Sequence, residues 1–199
     1  MSNAGSRREP PGLARPRSPW HVREFEAVRD SDAVTRLDAS YISDQIYAVH
    51  RSGDVVALAP TSLAAPHSER LAIDLGTAPW MHGRVAALDD GVHGFVGWGY
   101  DAHNRRMTIW HCYIDRPYRR RGAARSLLDA ALGWAREAGA LTAWLETSSA
   151  NYPAITACRR LGFEICGFDT TLYRGTPNQG EVAVYMARLI DSDGRPHAG

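Results

Sequence analysis

The chain has 199 residues, 44% of them apolar, and a formal net charge of +1. That length suits one folded domain with a sizeable core, and the near-neutral balance excludes a protein whose overall charge alone selects nucleic acid or an anionic membrane. No stretch reaches the roughly 20 uncharged apolar residues that a membrane helix needs.

The first 19 residues hold four arginines, four prolines and little that is apolar. Such a composition predicts a disordered tail over 1–19, with a single domain over 20–190 and a second tail over 191–199. The basic N-terminal run has no apolar stretch behind it, so it does not read as a secretory signal, and a cytoplasmic protein is expected.

Within the domain, Ser43 to His50 and Val55 to Leu58 read as short strands around Ser52-Gly53. Arg84 to Asp89 and Val92 to Tyr100 read as a hairpin, with the turn marked by Asp89-Asp90-Gly91. Met107 to Ile114, rich in aromatic and β-branched residues, is the next strand. Ala123 to Ala138 places Ala124, Leu127, Leu128, Ala131, Leu132 and Ala135 at helical spacing, and Gly139 ends the helix. Thr142 to Glu146 is a strand, and Pro153 to Leu161 a short helix with proline at its start. Glu164 to Phe168 and Glu181 to Ile190 are the last strands. Hairpins followed by strand-helix-strand-helix-strand predict an α+β fold on a mixed sheet.

All 23 basic residues are arginine, so no lysine is available for Schiff-base chemistry or self-acetylation. Three cysteines, Cys112, Cys158 and Cys166, are an odd number without CxxC spacing, which argues against a disulfide framework or a zinc site. The eight histidines are scattered, and no bound metal is expected.

The most informative segment is Ile114-Asp115-Arg116-Pro117-Tyr118-Arg119-Arg120-Arg121-Gly122-Ala123-Ala124-Arg125, between a strand and a helix start. The first amides of a helix have no intrahelical partner and the helix dipole is positive there, so such a turn can hold an anion. Gly122 lets the backbone approach closely. The small Ala123 and Ala124 leave room for a pyrophosphate, and the arginines add charge and forked donors. It is neither a Walker loop, which needs a lysine, nor GxGxxG. A solvated basic turn and a nucleic-acid contact are the other readings. The loop lacks most of the interleaved aromatics that single-strand binders use, so no nucleic-acid partner is expected.

The run IDxPYRRRGAARSLL resembles the signature of the GNAT superfamily of N-acyltransferases, whose core pattern R/Q-x-x-G-x-G/A fits Arg119, Gly122 and Ala124. A second block, Leu145-Glu146-Thr147, Asn151, Ala154 and Leu161-Gly162-Phe163, follows in the order that superfamily shows. A finer resemblance, to the streptothricin acetyltransferases, runs through Pro153-Ala154, Gly167-Phe168-Asp169, Tyr173, Pro177 and Glu181 to Tyr185.

The resemblance implies a GNAT fold, with acetyl-CoA lying between two splayed parallel strands, Met107 to Ile114 and Thr142 to Glu146. It implies that backbone groups of Cys112, Tyr113 and Ile114 meet pantetheine, with a strand amide near Cys112 or Tyr113 polarising the thioester carbonyl. Arg119, Arg120, Arg121, Gly122, Ala123, Ala124 and Arg125 would face the pyrophosphate. Asn151 would contact the cofactor or hold the following loop. The implied reaction is acetyl transfer to a primary amine of a small molecule, such as a streptothricin-like antibiotic. By analogy with similar proteins, a homodimer is expected.

Two positions depart from the family pattern. The tyrosine that often acts as acid, seven residues after Asn151, is Cys158 here, and a glutamate on the first splayed strand is replaced by Trp110. Candidates for the missing chemistry are Glu146 as base, with a purely structural carboxylate as its other reading, and Tyr113, Cys158 or Tyr173 as acid. His111, expected on the face opposite Trp110, reads more readily as a packed or surface residue. Asp38, Asp44, Glu69 and Asp74 could receive a cationic acceptor. The two departures also leave open an acyl-CoA-binding sensor on the same fold.

Overall fold

The computed structural model describes residues 18–76 and 78–190; nearly all of the two expected tails lies outside the described residues. The chain runs β1 (His21–Glu24), α1 (Ala27–Thr35), β2 (Tyr41–Ser52), β3 (Val55–Glu69), β4 (His82–Leu88), β5 (Gly91–Asp101), β6 (Arg106–Ile114), α2 (Ala123–Glu137), β7 (Thr142–Ser148), α3 (Tyr152–Arg160), β8 (Glu164–Asp169) and β9 (Ala183–Leu189). Seven strands form one sheet in the order β1-β4-β5-β6-β7-β9-β8, and β2 with β3 forms a separate hairpin.

Every neighbouring pair is antiparallel except β6 and β7. Those two run parallel and pair only through Arg106–Ile109 and Thr142–Leu145. Beyond that seam His111 to Ile114 pair with β5 alone, and Glu146 to Ser148 with β9. The result is a V opening toward the C-terminal ends of both strands. A bulge helps to form it: Gly97 faces His111 and Trp98 faces Ile109, so Trp110 has no opposite number. An extra residue bends its strand and raises the local twist.

The two faces of the sheet carry separate cores. Val96, Trp98, Met107, Ile109, Ala143 and Leu145 pack against Leu127, Leu128, Ala131 and Leu132 of α2 and Ile155 of α3. On the other face Val85 and Phe95 pack against Val34 and Leu37, in and just after α1. α2 is held by the stripe read from the sequence, since Leu127, Leu128, Ala131, Leu132 and Ala135 are all buried. Truncating a leucine such as Leu127 to alanine costs about 2–5 kcal/mol at a site this closed.

Four elements differ from the sequence reading. β1 and α1 carry no clear sequence signal, because α1 is polar and buries Asp30, which Arg23 grips through two hydrogen bonds of 2.6 and 2.7 Å. β3 continues to Glu69, beyond the strand end expected at Leu58. Pro60 and Pro66 interrupt the pattern, yet in a two-stranded ribbon every strand is an edge and tolerates a missing N–H. β9 starts at Ala183 rather than Glu181.

Candidate active site

The turn after β6 is a single 3₁₀ turn, Arg116–Tyr118, followed by Arg120 and Gly122 in left-handed conformations, φ 61° and 87°. Gly122 is the N-cap of α2, and no side chain caps that end. A Cβ at Gly122 would meet nothing within 4 Å. An uncapped helix start opening on free space beside exposed Arg120, Arg121 and Arg125 can receive an anion. These features fit the pyrophosphate of CoA.

The loop is braced from beneath. Buried Trp20 donates from Nε1 to the Arg121 carbonyl at 2.8 Å. Tyr118 donates to Asp90 at 2.6 Å and stacks on His93 with 3.6 Å between ring centroids. The Arg121 guanidinium lies 5.2 Å over the Tyr118 ring. Ser18, on the edge of the expected tail, is tied at 2.8 Å to Ser126 of α2.

Arg119, the arginine of the R-x-x-G-x-A pattern, has its side chain engaged on backbone carbonyls. Its guanidinium does not face the anion space. It donates to the carbonyls of Ile114 (3.0 Å), Ser40 (2.7 Å) and Asp38 (3.3 Å). Burial holds its pKa below the usual guanidinium value. Asn151 is likewise engaged locally, since its Oδ1 accepts from the Ala154 amide at 3.2 Å and caps α3. Of the two roles expected for it, holding the following segment is the one that this bond provides.

The walls of the V present different side chains on the two faces of the sheet. Cys112 lies opposite Val96, on the face of α2 and α3, where Cys158 of α3 is close enough to act on its ionisation. Cys112 is exposed to the V, although the dense protein around it pushes its thiol up. Burial pushes Cys158 up to about 11. Both therefore keep their protons at neutral pH.

Tyr113 faces the other way, opposite Phe95, and its hydroxyl is 3.2 Å from His111 Nδ1. Burial raises its pKa. His111 is 5% exposed and packs against Phe95 and Trp80. The bulge breaks the alternation from which its position was argued: Ile109 enters the α2 core, whereas His111, two residues on, enters the opposite face. Trp110 is 42% exposed, and its indole lies beside Gly99.

Glu146, on β7 just beyond the seam, also lies on the face opposite Leu145 and α2. Tyr173 donates a short hydrogen bond to its Oε1. Burial raises the Glu146 carboxyl, and that hydrogen bond partly opposes the rise. Burial, the bond to Glu146 and the charges of Glu146, Glu181 and Glu69 all raise Tyr173. Three carboxylates thus converge on one phenol. Glu181 accepts from Ser148 and, at 3.2 Å, from Asn178. Glu69 accepts from the same Asn178 amide at 3.1 Å and from Tyr41. No arginine forms an ion pair with any of the three among the described residues, and His67 Nε2 lies 3.7 Å from Glu69. Among the described residues, His67, Glu69 and Glu181 have ligand atoms that could gather round a cation, lying within 4.8 Å of one another.

Of the other acidic candidates, Asp38 accepts from the Ser40 amide at 2.9 Å. Asp44 is exposed on β2, and Asp74 is exposed with its charge felt at His111 and Tyr113. Only Glu69 joins the cluster. Its partners Tyr41, Ser148, Asn178 and Glu181 are separated by up to 140 residues, counting from Tyr41 to Glu181, and no spacing rule links them.

A parallel pair splayed beyond a short seam, an uncapped helix start after one arm and a carboxylate on the other define an acyl-CoA-dependent transferase. The chain belongs to the acetyltransferase (GNAT) family, whose profile matches residues 20–163. It is an N-acetyltransferase that uses acetyl-CoA. The streptothricin acetyltransferase of Streptomyces lavendulae is 36% identical over 177 residues, covering 82% of this chain and 93% of that protein. The crystal structure of a nourseothricin acetyltransferase superposes with a TM-score of 0.80 at 35% identity, over 87% of this chain and 99% of that one. A Bacillus anthracis structure in complex with acetyl coenzyme A has the same fold, with a TM-score of 0.71 at 24% identity over 85% of this chain and 99% of that one.

Proposed function

We propose that the chain acetylates a primary amine of a cationic antibiotic of the streptothricin class. The observation that carries this reading is the convergence of Glu69, Glu146 and Glu181 on Tyr173 without an arginine to neutralise them among the described residues. A cationic acceptor supplies the missing positive charge. Two relatives, at 36% and 35% identity, are named for streptothricin and nourseothricin, which supports this reading.

Acetyl-CoA brings the acetyl group already activated as a thioester. This chain's residues bind and align it. Amides and guanidinium groups of Arg120 to Arg125 take the pyrophosphate, and the backbone of Cys112 to Ile114 lies along pantetheine. An amine of lysine-like pKa, about 10.4, is nucleophilic in roughly one molecule in a few thousand at neutral pH. Glu146 is the base that takes its proton, directly or through water, and a raised carboxyl is better matched to that proton transfer than an ordinary one. Glu69 and Glu181 hold a second positive group of the acceptor. Cys158 is a poor acid for a leaving thiolate of pKa about 8.5, which departs without one. Tyr113, across the sheet from the cysteines, packs instead of donating.

The domain spans 20–190 in this reading, and its place of action is the cytoplasm, where acetyl-CoA is made. Light scattering decides whether the expected homodimer forms. The defining experiment incubates the protein with acetyl-CoA and streptothricin. It should release free CoA thiol and yield a product heavier by one acetyl group. Absence of both, with acetyl-CoA still raising the melting temperature, would overturn the acceptor and leave the cofactor site standing.

A further inference from the structure

One side chain makes three of the bonds that join the two walls of the site. Arg119 follows β6 by five residues, and its Nε holds the carbonyl of Ile114, the last residue of that strand. The other end of the same guanidinium holds Ser40 and Asp38 in the linker between α1 and β2. Ser40 immediately precedes Tyr41, whose hydroxyl donates to Glu69 at the far end of the β2–β3 hairpin. Two more bonds fasten the same seam: the Arg116 amide donates to the Asp38 carbonyl at 3.0 Å, and the Asp38 amide to Asp115 Oδ1 at 3.0 Å. The Asp38 and Asp115 carboxylates offset part of the cost of burying the guanidinium. Phosphate recognition does not require any of this. A guanidinium with all its bonds on backbone carbonyls of two separate segments is a spacer of fixed length.

We infer that Arg119 is a positioning residue that sets the acceptor wall in register with the thioester, and that its side chain contributes nothing directly to pyrophosphate binding. The inference rests on the acceptor reading above. Its chemical reason is the planar fork: three divergent N–H groups reach three carbonyls at once, which a lysine ammonium on a flexible stem does not reproduce. A displaced Ser40 moves Tyr41 and with it Glu69, while the amides of Gly122 to Arg125 stay anchored by α2 and Trp20.

The test compares Arg119→Lys with Arg121→Ala, using acetyl-CoA and then S-acetylpantetheine, which lacks the pyrophosphate, with streptothricin as acceptor. For Arg119→Lys, kcat/KM should fall about tenfold or more with both donors, given the sensitivity of transfer to misplacements near 1 Å. The KM for streptothricin should rise while the dissociation constant of CoA, measured by calorimetry, stays unchanged. Arg121→Ala should lose rate mainly with acetyl-CoA. If Arg119→Lys loses rate only with acetyl-CoA, or binds CoA weakly, Arg119 is a phosphate ligand and the inference is wrong. Undiminished rates with both donors overturn it equally. Two readings do not depend on turnover: CoA affinity, and amide exchange over 38–41, which should quicken in the lysine variant. If wild type leaves streptothricin unmodified, the acceptor reading fails by itself, and these two readings still decide the case for Arg119.

Discussion

In the proposed reading one wall of the V serves the cofactor and the other the acceptor, and the two are built from different materials. The cofactor wall is backbone: one continuous stretch from Cys112 to Arg125, shaped by a bulge, a 3₁₀ turn and an uncapped helix start. The acceptor wall is side chain: Tyr41, Glu69, Glu146, Tyr173, Asn178 and Glu181, brought together from four separated segments. Backbone amides survive most substitutions, whereas a wall of carboxylates and phenols changes with every one. That is why Trp110 and Cys158 can stand in places of altered chemistry without disturbing the loop, and why such a fold can keep its donor while exchanging acceptors.

The comparison is most sharply tested at the base. Glu146→Gln should lower kcat by roughly 10²–10⁴-fold with CoA affinity intact. Burial disfavours the ionised form of Glu146, so the carboxyl gives up its proton above the ordinary value of about 4.3. The wild-type rate should therefore fall as pH drops through that raised value, and this limb should vanish in the glutamine variant. An unaltered pH profile would remove Glu146 from the mechanism.

Gly122→Glu attacks the other wall. Like charge against the pyrophosphate costs several kcal/mol, so calorimetry should show CoA affinity lowered by more than about 100-fold. Gly122→Ala separates charge from conformation, because φ 87° strains any side chain whatever the free space. If Glu and Ala weaken binding equally, the loop is not a phosphate site.

Smaller effects follow on each side. Glu69→Gln should raise the acceptor KM about tenfold, the worth of one charge-assisted bond, without moving CoA affinity. Asn151→Ala removes a helix cap and should cost about 1 kcal/mol in denaturant unfolding; a matching drop in CoA affinity would return Asn151 to the cofactor wall. Least affected is Cys158→Ser, with kcat expected to stay within about threefold because the thiolate is already a tolerable leaving group.

The cofactor wall is readable from the sequence for the same reason that it is robust. Contiguous residues with glycine, small residues and arginines announce a loop before a helix, and the apolar stripe of α2 fixes where that helix begins. The central strands and the hairpin turn at Asp89-Asp90-Gly91 are legible from period and turn chemistry. α1 is not, since its stability comes from Asp30 gripped by Arg23 rather than from an apolar stripe. Nor is the bulge at Trp110, which depends on how β5 and β6 pair and which inverts the expected face of His111. The acceptor cluster is visible only in part: Glu146 and Glu69 are candidates, but nothing in the spacing of Tyr41, Asn178 and Glu181 shows that they meet.

The four-residue seam between β6 and β7 has a mechanical meaning as well. It alone joins β1, β4, β5 and β6, with α2 packed against them, to β7, β9 and β8 within the sheet. Gly139, in the tight turn between α2 and β7, is the natural place to cut the chain. The fragments on either side would each carry one arm of the V, and a ligand lying in the V would bridge them. Such a pair should reassemble more readily in the presence of CoA than in its absence, a molecule mended by the substance it works upon.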